Sequence, residues 1–158
     1  LAAPDRFLNI VNRRLAALFN GEGYFASGWS GVVNAATGEV NYANAGHPTP
    51  LLVSRAGQPR CLEGHGAALG LFADAPYRCF RTRLDCGETL LVYTDGAFEI
   101  MNSEQQELDV EGLMDYVAGL DLSRGEAALD QLREKLLKYS NQLRLPDDLT
   151  LVSLHRPA

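Results

Sequence analysis

Two short acidic segments are the places where this sequence could do chemistry. The first follows Leu90-Leu91-Val92-Tyr93-Thr94, a run with the composition of a buried strand, which ends abruptly in Asp95-Gly96. A carboxylate there sits at the C-terminal end of a strand, and Gly96 removes a side chain that would crowd whatever binds. The second is Pro146-Asp147-Asp148, set immediately before Leu149-Thr150-Leu151-Val152. If the two strands are antiparallel neighbours, the end of one lies beside the start of the other, and Asp95 converges with Asp147. Convergent carboxylates repel unless something neutralises them. A hard divalent cation such as Mg²⁺ or Mn²⁺ is the natural partner, because such ions prefer oxygen ligands and keep several waters. A plainer alternative stands beside this for each segment alone. Asp-Gly after a strand is a common turn, and Asp-Asp after Pro suits a solvated loop.

The histidines and cysteines add less. Gly46-His47-Pro48 follows Ala43-Asn44-Ala45. Either His47 faces a phosphate or a metal, or it fixes backbone groups in a rigid turn that Pro48 and Pro50 already shape. His65, between Gly64 and Gly66, reads as a loop residue, and His155 as exposed. No HExxH occurs, and no Ser-His-Asp arrangement is legible. Cys61, Cys79 and Cys86 are odd in number and form no CxxC, which disfavours a disulfide framework or a zinc site. Reduced thiols in the cytoplasm follow as the default.

The elements that must position these residues come from patterning. Between Pro4 and Phe19, apolar residues at Phe7, Ile10, Val11, Leu15, Leu18 and Phe19 predict a helical stripe, stopped at Asn20-Gly21 with glycine available for a left-handed cap. Tyr24–Ala35 predicts a strand, Ala36–Glu39 a turn and Val40–Ala43 a returning strand. Leu51–Ser54 and Arg60–Leu62 flank a second turn. Cys79–Leu84 and Glu88–Thr94 flank a third at Asp85-Cys86-Gly87, and such short connections imply antiparallel pairing. Asp109 is placed to cap a helix through Val117. Ser123 and Glu126 have capping-box spacing, before a face of Leu129, Leu132, Leu136 and Tyr139. Leu149–Leu154 is a last strand. Helix, strands, helices, strand describes an α+β domain with antiparallel sheet covered by helices.

The whole chain sets bounds. Its 158 residues suit one domain, 1–158, with 46% hydrophobic and 22% charged residues. No apolar run approaches the ~20 residues of a membrane-spanning helix, so no membrane is expected. The net charge of −6 argues against nucleic acid. Arg78, Arg81 and Arg83 are the richest basic stretch, read either as the solvated face of a strand or as a phosphopeptide-docking strip. The segment from Leu1 to Arg6 holds neither an initiator Met nor a signal peptide's apolar core, which suggests a piece of a longer polypeptide.

Taken together, the segments resemble the bacterial phosphatase 2C-like family, in its sporulation stage II E and sigma-factor-regulator branch. The likeness rests on Leu8-Asn9 and Asn12-Arg13-Arg14-Leu15, on Thr37 to Pro48 with its AGHP, and on Leu69-Gly70-Leu71-Phe72. Gly87 to Glu99, ending in Tyr93-Thr94-Asp95-Gly96, and Asp147 to Val152 complete it. The resemblance implies an antiparallel β-sandwich flanked by helices, and a dinuclear Mg²⁺ or Mn²⁺ centre whose water attacks phosphoserine or phosphothreonine. It implies Asp95 and Asp147 as metal ligands and Asp148 as their close neighbour. Gly96, Gly46, His47 and Glu99 shape the site. It further implies a phosphorylated regulatory protein as substrate, of the anti-sigma-factor-antagonist type, and an N-terminal receiver or sensor domain. Two carboxylate motifs that the family carries upstream, GDxxD and GDVSGxG, do not occur here, so about 50 residues of N-terminal strands are expected to be missing. The chain alone is then expected to be inactive and to bind metal poorly. Exposed sheet edges would invite a homodimer. Phe25 to Trp29 departs from the family's usual Thr followed by a small residue. The rival expectation is a non-catalytic adaptor that keeps the fold and binds a protein of the sigma-factor pathway.

Overall fold

The structure, a computed structural model, describes residues 3–141, 145 and 147–158. Pro146 and the first two residues of the N-terminal segment lie outside the described residues. In chain order the elements are α1 (Pro4–Phe19), β1 (Gly28–Val33), β2 (Glu39–Ala45), β3 (Leu51–Val53), β4 (Pro59–Cys61), β5 (Phe80–Arg83), β6 (Thr89–Tyr93), α2 (Asp109–Ala118), α3 (Glu126–Ser140) and β7 (Leu151–His155). Three-residue 3-10 turns lie at Asp95–Ala97 and Leu122–Arg124. The α+β expectation therefore holds, with antiparallel sheets and three helices. The backbone divides into two compact units, Leu1–Thr49 with Leu62–Arg83 and Pro50–Cys61 with Leu84–Ala158.

In the first unit α1 begins with Pro4, whose missing N–H costs nothing in the first turn. It ends at Asn20, which takes the left-handed conformation (φ 45°) and donates its N–H to the Ala16 carbonyl. Asn20 is the cap residue, a role its short polar side chain tolerates, and Gly21 continues in the left-handed region (φ 76°) that the sequence offered it for. The buried face also differs from the expected stripe. Pro4, Leu8 and Asn12 are buried, with Val11 and Leu15 packed alongside, whereas Phe7, Ile10 and Leu18 are 56%, 55% and 74% exposed. Asn12 explains the rotation. Its Nδ2 donates to the Phe72 and Ala73 carbonyls, and its Oδ1 accepts the Gly70 N–H. A fully bonded amide is accepted in a core, and a count of apolar residues alone passes over it.

The sheet of this unit has the order β1-β2-β5, all antiparallel. Asn34 closes the β1–β2 turn by accepting the N–H groups of Ala36 and Thr37. The first strand starts later than expected. Tyr24 and Phe25 are exposed, and Ala26 makes only an isolated bridge to Leu69. Arg81 and Arg83 do point to solvent along β5.

The second unit holds a sheet of order β4-β3-β6-β7, again antiparallel. The expected hairpin between β5 and β6 is a correction. The turn at Asp85-Cys86-Gly87 exists, with the Glu88 N–H on the Asp85 carbonyl. It connects strands of different sheets, because β6 already pairs with β3 on one edge and β7 on the other, leaving no edge for β5. One face of this sheet supplies Leu51, Val53, Leu91 and Tyr93 to a core. Leu113 and Val117 of α2 and Leu132 and Leu136 of α3 complete it, with Leu129 and Tyr139 packed at its margin. β6 is thus buried along nearly its whole length, which is why it reads as an unbroken apolar run.

Caps set the helices of this unit. Asp109 has φ 56°, and its Oδ1 accepts the Gly112 N–H at 2.9 Å, so it caps α2 as expected. The expected Ser123–Glu126 capping box does not form. Ser123 lies inside the 3-10 turn, and Asp121 captures both its N–H and its hydroxyl. α3 starts at Gly125 with no side-chain cap. His155, expected to be exposed, is half-buried in β7, where its Nδ1 pairs with the Thr89 hydroxyl at 2.9 Å.

Candidate metal centre

The two acidic segments meet at one end of the β6–β7 ladder. The ladder runs from Thr89↔His155 to Tyr93↔Leu151. At that last pair β6 is leaving and β7 is arriving, so residues after Tyr93 lie beside residues before Leu151. Thr94 extends the contact, with its N–H on the Thr150 carbonyl at 3.1 Å. Its hydroxyl donates to the Asp148 carbonyl at 3.0 Å and accepts the Thr150 N–H at 2.9 Å.

Gly96 marks the closest approach. A Cβ on Gly96 would sit 2.6 Å from the Asp148 carbonyl oxygen and 3.4 Å from that of Asp147. No side chain fits there. The acidic segments are therefore packed backbone against backbone.

The carboxylates are braced in the same way on both sides. Asp95 Oδ1 accepts the Gly96 N–H at 3.0 Å, and Asp147 Oδ1 accepts the Asp148 N–H at 2.7 Å. Each aspartate thus commits one oxygen to its neighbour's amide and keeps its other oxygen for a further partner. Asp95, Asp147 and Asp148 are all exposed. Behind them Tyr93 is buried, and that burial, with Cys61 nearby, pushes its phenol far above the usual range. It stays neutral and adds no negative charge to the site.

This donor set fits a hard cation in kind. It offers anionic oxygens on exposed residues, drawn together by a glycine that lets the two segments pack closely. It is small in number. Among the described residues no three His, Cys, Asp or Glu side chains form a group that could hold a metal ion.

The other expected residues stand apart in role. Glu99 is exposed one turn on, tied by its N–H to the Asp95 carbonyl. Gly46 and His47 belong to the first unit. Gly46 has φ 70°, and a Cβ would lie 3.0 Å from Ala68 Cα, so the turn requires glycine. The His47 ring pairs through Nδ1 with the Pro48 carbonyl at 2.8 Å, while Asn44 brackets the His47 backbone from both sides. That is the turn-fixing reading. Thr94 is a residue to which the sequence attached no expectation. Its signal was a hydroxyl directly before the aspartate, at the point where the apolar run stops.

The comparisons with known proteins define the class: the phosphatase 2C-like family, in its sporulation stage II E and sigma-factor-regulator branch. A sequence profile described as Stage II sporulation protein E (SpoIIE) matches residues 1–157, and the chain belongs to that family. Protein IcfG of Synechocystis sp. is 25% identical over 154 residues, 96% of this chain and 24% of IcfG. The phosphoserine phosphatase RsbU of Bacillus subtilis is 28% identical over 119 residues, 75% of this chain and 35% of RsbU. This chain therefore spans about a quarter to a third of these relatives. The SiaA-PP2C domain of Pseudomonas aeruginosa superposes with a TM-score of 0.78 at 18% identity, over 97% of this chain and 61% of that one. The manganese-presoaked phosphatase domain of SpoIIE from Bacillus subtilis gives 0.66 at 16%, over 84% and 57%. Among the described residues no helix is long and apolar enough to cross a membrane.

Proposed function

We propose that this chain is part of a Mg²⁺- or Mn²⁺-dependent phosphatase that hydrolyses phosphoserine or phosphothreonine on a bacterial regulatory protein. The observation that carries the reading is the packing of Asp95-Gly96 against Asp147-Asp148 at one end of the β6–β7 ladder, in a member of the SpoIIE family. The similarity to RsbU, a phosphoserine phosphatase, supports the reaction, and the manganese-presoaked SpoIIE domain supports the cation. When bound, a pair of such ions supplies an acidified water and neutralises phosphoryl charge.

The chain's own residues do the rest. Asp95 and Asp147 each present one uncommitted carboxylate oxygen as a ligand. Asp148 holds the Asp147 carboxylate through its N–H and adds negative charge nearby. Gly96 lets the two acidic segments approach each other, Glu99 stands beside it, and the Gly46-His47 turn shapes its own part of the domain. The family match runs unbroken over both units, which supports one domain spanning 1–158. Two or three carboxylates are too few for a dinuclear centre, so turnover belongs to the parent protein and this chain alone is inactive. An anti-sigma-factor antagonist is the substrate type that the resemblance to the family's sigma-factor-regulator branch favours. A receiver or sensor domain as the controlling input and a homodimer are further parts of the same proposal.

The test uses the full-length protein with Mn²⁺ and a phosphoserine peptide. Asp95→Ala and Asp147→Ala should each lower turnover beyond the about 10–100-fold that loss of an outer-shell partner costs, while the fold is retained. Near-normal turnover in both variants would refute the assignment. The small donor set favours one second reading, a non-catalytic adaptor that binds a protein of the sigma-factor pathway. A wild-type protein inert with every divalent metal would select it.

A further inference from the structure

We infer that Thr94 is a positioning residue that sets the spacing of the two acidic segments, an inference that rests on the cation-binding reading above. The regular ladder stops at Tyr93↔Leu151. Beyond it Thr94 ties the departing strand to the arriving chain. Its N–H reaches the Thr150 carbonyl, and its hydroxyl both donates to the Asp148 carbonyl and accepts the Thr150 N–H. A hydroxyl has one donor and two acceptor positions, so it can serve both at once. Valine has the same shape and serves neither.

The consequence runs through covalent neighbours to both carboxylates. Thr94 is bonded to Asp95. The Asp148 carbonyl that it holds is also the atom against which Gly96 packs, 2.6 Å from a would-be Cβ. The N–H of Asp148 orients the Asp147 carboxylate at 2.7 Å. One hydroxyl therefore fixes the register of Asp95 on one side and Asp147 on the other. Asp148 and Thr150 are exposed, so water replaces the lost hydrogen bonds when the hydroxyl is removed. Stability then changes little, whereas the ligand spacing loosens. A misplacement of about 1 Å is enough to cost a site 100-fold.

The experiment is an MnCl₂ titration of the full-length protein, ¹⁵N-labelled on glycine and aspartate, followed by paramagnetic broadening of the Gly96 and Asp148 amides. Wild type, T94S, T94V and D95N are compared, with urea unfolding of each. Broadening in T94V should require about 10-fold more Mn²⁺, within the range known for residues that support metal ligands. T94S should stay within about threefold of wild type, and D95N should lose the effect. If T94V does not fold, T94A takes its place with the same expectation. A T94V titration matching wild type, while D95N loses broadening, overturns the role of Thr94 and leaves the cation site standing. Sharp Gly96 and Asp148 signals in wild type at every Mn²⁺ concentration overturn both.

Discussion

At the scale of single residues, the site depends on what is absent as much as on what is present. Gly96 has no Cβ, and the Asp148 carbonyl fills that space. Gly96→Ala should therefore push the two acidic segments apart. The expected cost is about 1–3 kcal/mol of stability, as for other overpacked positions, together with loss of Mn²⁺ binding. Urea unfolding and calorimetric titration measure the two. Unchanged binding in a folded Gly96→Ala protein would show that the close approach has no bearing on the cation. Gly46→Ala should destabilise through its positive φ and the nearby Ala68 backbone.

At the scale of elements, caps carry testable energies. Asp109→Ala removes the acceptor of the Gly112 N–H and should cost about 1 kcal/mol in urea unfolding. Ser123→Ala tests the corrected assignment, since its hydroxyl serves Asp121 and does not cap α3. Asp121 gives a pH dependence. The Ser123 hydroxyl bonded to it, with lesser help from the Ser123 N–H, Arg124 and His155, holds its carboxyl below the usual range. A depressed carboxyl contributes stability above its unfolded pKa of about 3.9 and loses it as pH falls through the folded value. The stability difference between wild type and Asp121→Asn should shrink as pH drops below about 4. A constant difference down to acid unfolding would contradict the charge as its source.

The same scale shows what was legible in the sequence. β6 was legible because a strand buried along nearly its whole length leaves an unbroken apolar run, and β7 because its β-branched and leucine residues follow the aspartates directly, although Val152 and Leu154 are exposed. That β5 and β6 belong to different sheets was not legible. A tight turn reports that the chain reverses, but pairing is decided by which edges other strands occupy, and β3 and β7 already held those of β6. The α1 face was misjudged because its central buried residue is Asn12, a polar side chain whose partners, Gly70, Phe72 and Ala73, lie some sixty positions away. Ser123 fails to cap α3 for a similar reason: spacing offers candidates, and here Asp121 draws the Ser123 N–H and hydroxyl into the preceding 3-10 turn.

At the scale of the molecule, the candidate site is contained within one compact unit, on a sheet whose core joins α2 and α3. Its rigidity should depend on that core. Leu132→Ala, at a position with no exposure, should cost about 2–5 kcal/mol in urea unfolding. The most direct measurement is anomalous diffraction at the manganese edge from crystals of the full-length protein soaked in MnCl₂. A peak bonded to carboxylate oxygens of both Asp95 and Asp147, at about the 2.0–2.1 Å of a hard octahedral cation, is the predicted result. Manganese bound elsewhere, with neither aspartate among its ligands, would contradict it.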